Sequence, residues 1–217
     1  MLYIQLLQIR HAVRVPKDVP LHLSAVATDA VSTAYHAVVT EAEAGPGKNI
    51  AIVGLGGLGL NGVVSASLQS ANVCVSDIDT KRFEAAQKSG AVACYQILAE
   101  VEDGFFDAIV DFAGDCKPTV LATKRVKVCG VVALIGLGVD EATLPTLLLT
   151  MGSIHLRRFM GASLLEYQKI LEHIEAGEIV PVTEEIPFDD VSGGLHRLAA
   201  GNVSGRLWTD PSAITQA

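Results

Sequence analysis

The feature that most constrains this chain is a glycine-rich loop between a short apolar run and a helical pattern. The run Ile50–Val53 is followed by Gly54, Gly56 and Gly59 in the spacing GxGxxG, and a helix is predicted from about Leu58. Glycines at these positions permit a tight turn, close backbone approach of a pyrophosphate, and close packing of helix on strand. The segment predicts a βαβ unit that binds a dinucleotide at its helix N-terminus. The alternative is a glycine turn that serves packing only.

An acidic residue closes the next apolar run. Asp77 follows Val73–Val75, close to the ~20 residues that separate the first glycine from the ribose-binding acid in such units. Its carboxylate would accept hydrogen bonds from the adenosine ribose and repel a 2′-phosphate, which favours NAD over NADP. Arg82 weakens that preference if it faces the ribose; otherwise it is a solvated helix residue.

Apolar runs and amphipathic stretches alternate along the middle of the chain. The runs predict strands at Ile50–Val53, Val73–Val75, Ala108–Val110 and Val131–Ile135, with helices at about 58–70, 80–89 and 118–124. Such alternation indicates an α/β fold with a right-handed, doubly wound parallel sheet, the Rossmann arrangement. The nicotinamide end of a dinucleotide lies beyond the carboxyl ends of the strands. The segments 111–114 and 135–138, with Gly136 and Gly138, are therefore candidate linings, or simple turns.

Elements outside this core are also predicted. A helix spans about 24–40, and a capping box from Ser163 to Glu166 begins a helix that ends at Gly177. An extended segment, a short helix and a final strand at Arg206–Trp208 follow. His36 is interpreted as a packed or solvated helix residue.

Composition excludes several classes of function. The formal charge of −8, from 16 Lys and Arg against 24 Asp and Glu, and the lack of a basic run argue against a nucleic-acid partner. No apolar stretch approaches the ~20 residues of a membrane span. The four cysteines lack CxxC spacing and the six histidines lack HExxH spacing. Unpaired cysteines of this kind suit the reduced cytoplasm. No tyrosine is followed by a lysine four residues later. The chain therefore lacks the TyrxxxLys pair of the short-chain dehydrogenases, which excludes that class of enzyme.

Together the motifs resemble the zinc-type medium-chain alcohol dehydrogenases. The resemblance rests on Ala27–Ala37 (ATDAVSTAYHA), the GLGGLG loop, Ser76–Asp79 and Ser89–Ala91, and runs from about Val13 to Asp210. It implies hydride transfer between NAD and a small alcohol or carbonyl substrate. The alternative is a non-catalytic nucleotide-binding or interaction module.

The resemblance also assigns roles to individual residues. The pyrophosphate is expected at Gly54, Gly56, Gly57, Leu58 and Gly59, and the adenosine ribose at Asp77 and Arg82. Thr33 is expected to approach the nicotinamide and to be the catalytic residue of this chain. Gly136 and Arg206 complete the predicted coenzyme-binding set.

Asp29 falls where the family supplies a third ligand of its catalytic zinc, usually Cys and in some members Asp. The alternative is the N-cap of a helix that starts at Ala30. The other two zinc ligands belong to an N-terminal GroES-like half, and this sequence begins near the end of that half. We therefore expect that zinc belongs to the intact enzyme and is not held by this chain alone.

The expected organisation has three parts. Residues 1–23 are a remnant of the catalytic domain, residues 24–178 the NAD-binding Rossmann domain, and residues 179–217 a segment that returns toward the catalytic domain. GroES-like β remnants are thus expected at both ends, with the run Leu2–Ile9 exposed. A homodimer or higher homo-oligomer is expected through an edge strand at Ile154–Phe159.

Overall fold

A six-stranded parallel sheet forms the centre of this computed structural model, which describes residues 12–213. The strand order is β3-β2-β1-β4-β5-β6, and every pairing is parallel. The strands are β1 (Asn49–Val53), β2 (Asn72–Ser76), β3 (Ala93–Tyr95), β4 (Phe106–Asp111), β5 (Val126–Leu134) and β6 (His155–Arg158). The order reverses between β1 and β4, as in a Rossmann fold. The predicted doubly wound α/β architecture is confirmed.

Eight α-helical segments surround or follow this sheet in the described residues. They are α1 (Leu21–Val26), α2 (Ser32–Tyr35), α3 (Gly59–Leu68), α4 (Phe83–Lys88), α5 (Cys116–Arg125), α6 (Thr146–Met151), α7 (Leu164–Glu175) and α8 (Val191–Ala199). The strands β7 (Thr183–Glu185) and β8 (Arg206–Trp208) form a separate parallel pair. The short β3, α6 and the β7–β8 pairing were not predicted.

The first helical segment is continuous over residues 21–41. The α-helical pieces α1 and α2 alternate with π-helical turns at Ala27–Val31 and His36–Glu41. Pro20 stands at the N-cap, where its missing N–H is tolerated. Asp29 therefore lies inside the helical segment, so the N-cap interpretation of Asp29 is wrong.

Three apolar clusters hold these layers together. On one face of the sheet, Ile50 and Ile52 pack with Val63 and Ala66 of α3. On the other face, β-strand residues such as Ile109 pack with α5. The third cluster joins the 21–41 segment to α7 through Val31, Tyr35, Ile170, Leu171 and Ile174. The crevice at the carboxyl ends of β1 and β4 is thus built on a sheet covered on both faces.

The predicted domain boundaries stay predictions. The last of them, between residues 178 and 179, falls in the connection between α7 and β7. Leu2–Ile9 and the beginning of the predicted first remnant lie outside the described residues.

Within residues 12–213, no helix has both the length and the apolar character that a membrane crossing requires.

The capping box at α7 is confirmed, and its glutamate also binds the first helical segment. Glu166 accepts hydrogen bonds from the backbone N–H of Ser163 at 2.8 Å and from the Thr40 hydroxyl at 2.6 Å, and lies 2.8 Å from His36 Nδ1. Burial acts to raise the pKa of Glu166, but the hydrogen bonds from Thr40, Ser163 and His36 outweigh it and lower the pKa to about 2.

This low pKa predicts an acid-sensitive contribution to stability. A carboxylate whose pKa is lower in the folded chain stabilises it above the ordinary pKa of 4.5, and the contribution is lost as the pH falls toward 2. We expect Glu166→Gln to lower the free energy of unfolding at pH 7 by up to ~3 kcal/mol. The difference from wild type should shrink between pH 4.5 and pH 2, measured by urea unfolding across pH. Glu175→Gln, at an exposed position of α7, is the control, and equal pH profiles for wild type and Glu166→Gln would contradict the prediction.

Candidate functional site

The glycine loop opens into a cleft of about 570 Å³ at the carboxyl ends of β1, β2 and β4. Gly54, Gly56, Gly57, Leu58 and Gly59 all line it. Leu58 is the N-cap of α3 and makes no side-chain capping hydrogen bond with any described residue. Leu60 donates its N–H to the Gly56 carbonyl at 3.3 Å, whereas the N–H groups of Gly59 and Asn61 have no acceptor among the described residues. These two groups can bind an anion, and the helix dipole favours negative charge there.

The three motif glycines have different surroundings. Gly54 has a φ of +84° and donates its N–H to the Ser76 carbonyl at 2.8 Å. A Cβ on Gly59 would overlap the Gly54 carbonyl oxygen, so this position requires glycine for helix-on-strand packing. A Cβ on Gly56 would meet no described atom within 4 Å. Gly56 therefore borders open space, where a ligand can approach the backbone.

Asp77 lies behind the loop and holds it in place. Its side chain is buried, with a relative exposure of 7% for the residue. Oδ2 accepts the Leu55 N–H at 2.6 Å, and Oδ1 accepts the Asp79 N–H at 2.8 Å. The acid that closes β2 is thus tied to the turn that follows β1, and both line the same cleft.

Arg82 joins this group from the turn before α4. Its Nη1 lies 3.3 Å from Asp77 Oδ2, and its Nε lies 3.4 Å from Asp79 Oδ2. The side chain also lines the cleft. Arg82 is therefore more than a solvated helix residue, because it partly neutralises the two carboxylates beside the glycine loop.

Arg206 reaches the cleft from β8. Its guanidinium lies so close over Gly57 that a Cβ there would overlap Nη1. A cation thus faces the loop at the start of α3, where the sequence predicts a pyrophosphate. The predicted residues from Gly54 to Gly59, Asp77, Arg82 and Arg206 are all brought together at this one cleft.

The turn after β4 forms another wall. The buried Asp111 accepts the N–H groups of Ala113 and Gly114 through Oδ1, each at 3.0 Å, and the Thr119 hydroxyl through Oδ2 at 2.6 Å. Burial raises the pKa of Asp111, and these hydrogen bonds partly offset that increase. The carboxylate fixes the segment from which Ala113 and Asp115 face the cleft.

Gly136 lies behind this wall and is not one of the residues that line the cleft. A Cβ on Gly136 would overlap the backbone of Gly114, and a Cβ on Gly114 would overlap Gly136. Two turns are therefore packed backbone against backbone. Contact of Gly136 with a coenzyme stays a prediction.

Several cleft residues were missed by the sequence reasoning. Ile78 is 86% exposed and Ile97 is 49% exposed, although both are large and apolar. Together with Pro118 and Leu121 they give the cleft an apolar part that can hold a flat ring. The available signal was Ile78 itself, an isoleucine placed immediately after the strand-ending acid.

Thr33 and Asp29 lie one helical turn apart in the 21–41 segment. Thr33 is buried, and its Oγ1 donates to Asp29 Oδ1 at 3.3 Å, while Asp29 is exposed. Neither lines the cleft of the glycine loop. Between residues 12 and 213, no group of three His, Cys, Asp or Glu side chains could hold a metal ion. One carboxylate, already bonded to a hydroxyl, does not fit a zinc centre by itself.

His36 is packed between two carboxylates. Its ring lies 2.8 Å from Glu166 and 3.3 Å from Glu41, with the Phe159 ring centroid at 4.4 Å. The interpretation of His36 as a packed helix residue is confirmed.

Comparisons with known proteins point to one group of enzymes. No family model matches the chain. The chain is 30% identical over 202 residues to mannitol dehydrogenase of Petroselinum crispum, covering 91% of this chain and 60% of that protein. It is 27% identical over 208 residues to NADP-dependent alcohol dehydrogenase C 1 of Mycolicibacterium smegmatis, covering 94% of this chain and 59% of that protein.

A solved structure shows the same likeness. Acetophenone reductase from Geotrichum candidum, in complex with NAD, superposes with a TM-score of 0.87 at 29% identity. The match covers 93% of this chain and 60% of that protein. The chain therefore spans about 60% of the length of the relatives it matches.

Proposed function

We propose that this chain, which is similar over 91% of its length to a mannitol dehydrogenase, belongs to the medium-chain alcohol dehydrogenase family and is the coenzyme-binding portion of an NAD-dependent alcohol dehydrogenase. The observation that carries the proposal is the position of the glycine loop and the N-terminus of α3, which line the same cleft as Asp77 and Arg206. A diphosphate would accept hydrogen bonds from the N–H groups of the loop and pair with the Arg206 guanidinium. The adenosine ribose would then lie against Asp77.

The apolar part of the cleft fits the adenine ring. Ile78 and Ile97 expose large apolar areas there, and covering them with a planar base removes that area from water. NAD is proposed over NADP because Asp77 and Asp79 oppose a 2′-phosphate. Arg82 reduces this discrimination, since it lies within 3.4 Å of both carboxylates.

The proposed reaction is hydride transfer between the nicotinamide and a small alcohol or carbonyl substrate. This chain would bind and orient the coenzyme, and Thr33 would contact the nicotinamide from the 21–41 segment. Zinc, where a complete enzyme binds it, supplies a Lewis acid that polarises the substrate oxygen. Because Asp29 alone does not fit a zinc centre, the role proposed for this chain does not involve the metal.

The proposal is tested by coenzyme titration of the full chain. We expect NADH to bind with a change in nicotinamide fluorescence and with quenching of Trp208, the only tryptophan. Asp77→Ala should weaken binding about ten-fold or more, because it removes the ribose acceptor and frees the Leu55 N–H.

Glu175→Ala changes the charge equally at an exposed position away from the cleft and is the control. Folded wild-type chain that binds neither NADH nor NAD⁺ would contradict the proposal. Equal binding by wild type and Asp77→Ala would remove Asp77 from the site.

We also propose a homodimer through β6, the last strand of the sheet. This strand lies within the predicted segment Ile154–Phe159. Arg157 anchors it by donating to the Glu41 carbonyl and pairing with Glu43 at 3.1 Å. An outer strand with free backbone groups can pair with a second copy, which requires a solution mass of twice 22.8 kDa.

We place the protein in the cytoplasm, where its four free cysteines stay reduced.

A further inference from the structure

Arg206 reaches the cleft from outside the main sheet. Among the described residues that line the cleft, it alone comes from the β7–β8 pair. The other lining residues end or follow the strands β1 to β4 or belong to α3 and α5. The position of this cation over Gly57 therefore depends on how the β7–β8 pair is attached to the rest of the chain.

The β7–β8 pair is tied together internally. Arg206 donates its backbone N–H to the Val182 carbonyl at 3.0 Å. Gly205 has a φ of +83°, and a Cβ there would overlap the same carbonyl oxygen. Arg197 of α8 binds both oxygens of Glu184 in β7, at 2.7 and 2.8 Å. These contacts fix β8 against β7 and β7 against α8, but they do not fix the pair against the glycine loop.

An aromatic stack makes that second connection. The Trp208 ring lies on the His22 ring of α1, with centroids 4.5 Å apart and planes 16° from parallel. Side chains two residues apart on a strand point to the same side, so Arg206 and Trp208 face the main domain together. Because the Trp208 ring is held against α1, β8 is held there as well, and with it the Arg206 guanidinium.

We propose that His22 is a positioning residue for coenzyme binding, whose stack on Trp208 keeps the Arg206 guanidinium over Gly57. The inference rests on the proposed function, because Arg206 would bind the coenzyme diphosphate. His22 itself does not line the cleft. Its effect on affinity must therefore pass through β8.

A double-mutant cycle on the full chain tests this route, with NADH as the probe. We expect His22→Ala to weaken NADH binding about five-fold, in the range of one lost aromatic pair. Arg206→Ala should weaken it about ten-fold or more. The double variant should bind no more weakly than Arg206→Ala, because residues that act through one another are not additive. His22→Phe, which retains a stacking ring, should restore most of the affinity.

Two further measurements separate positioning from general stability. Urea unfolding of each variant reports the free energy of unfolding, and the emission of Trp208 reports whether the stack is present. The inference would be overturned if His22→Ala bound NADH as tightly as wild type. It would also be overturned if the losses of NADH affinity from His22→Ala and Arg206→Ala added in full in the double variant. Neither result would contradict the proposed function. A folded wild-type chain without coenzyme binding would overturn the proposed function, and the inference with it.

Discussion

Gly59→Ala is expected to destabilise the chain by ~3 kcal/mol or more. The added methyl group would overlap the Gly54 carbonyl oxygen, which belongs to the backbone of the turn and cannot rotate away. Either α3 or the turn after β1 must move, and both contribute to the main apolar cluster. Urea unfolding followed by Trp208 fluorescence and circular dichroism measures the loss.

Gly45→Ala is the matched control for this substitution. Gly45 lies in the turn before β1, and a Cβ there meets no described atom within 4 Å. Its free energy of unfolding should stay within ~0.5 kcal/mol of wild type. A Gly59→Ala chain as stable as Gly45→Ala would show that α3 does not pack on the turn as described.

Gly56→Ala is expected to weaken coenzyme binding strongly without unfolding the chain. A Cβ at this position meets no described atom within 4 Å, and the backbone does not lie in the left-handed region. The methyl group would instead occupy the space through which a diphosphate approaches the loop N–H groups. We expect at least a ten-fold loss of NADH affinity, measured by nicotinamide fluorescence.

The two glycine variants test different parts of one motif. Gly56→Ala should unfold at the same urea concentration as wild type, while Gly59→Ala should unfold much earlier. Gly45→Ala serves again as the control for binding. NADH affinity that Gly56→Ala leaves unchanged would place the diphosphate away from the loop.

Much of the central sheet could be predicted, because its strands are short apolar runs buried on both faces. Ile50–Val53 and the run that ends before Asp77 are of this kind, and both lie in observed strands. The capping box at Ser163 was equally readable, since its hydrogen bonds are local. By contrast, β3 has three half-buried residues and lies at the end of the short apolar run 91–95, which the sequence prediction did not assign to a strand.

The errors and omissions have tertiary causes. Asp29 has the chemistry of an N-cap, but the helical segment begins earlier, after Pro20, and packs along α7. Arg206 was predicted from the family resemblance, but the parallel pairing of β8 with β7 that brings it to the cleft has no local signal in the sequence. The exposure of Ile97 follows from the fold of the loop after β3 and has no counterpart in periodicity.

The hydrogen bonds of Asp77 affect the entropy change of ligand binding. Both carboxylate oxygens are oriented by backbone N–H groups of the chain itself. The entropy of immobilising this side chain is therefore lost when the protein folds, and a sugar that arrives later meets a preorganised acceptor. We therefore expect the sugar to bind Asp77 without a conformational change of this part of the site.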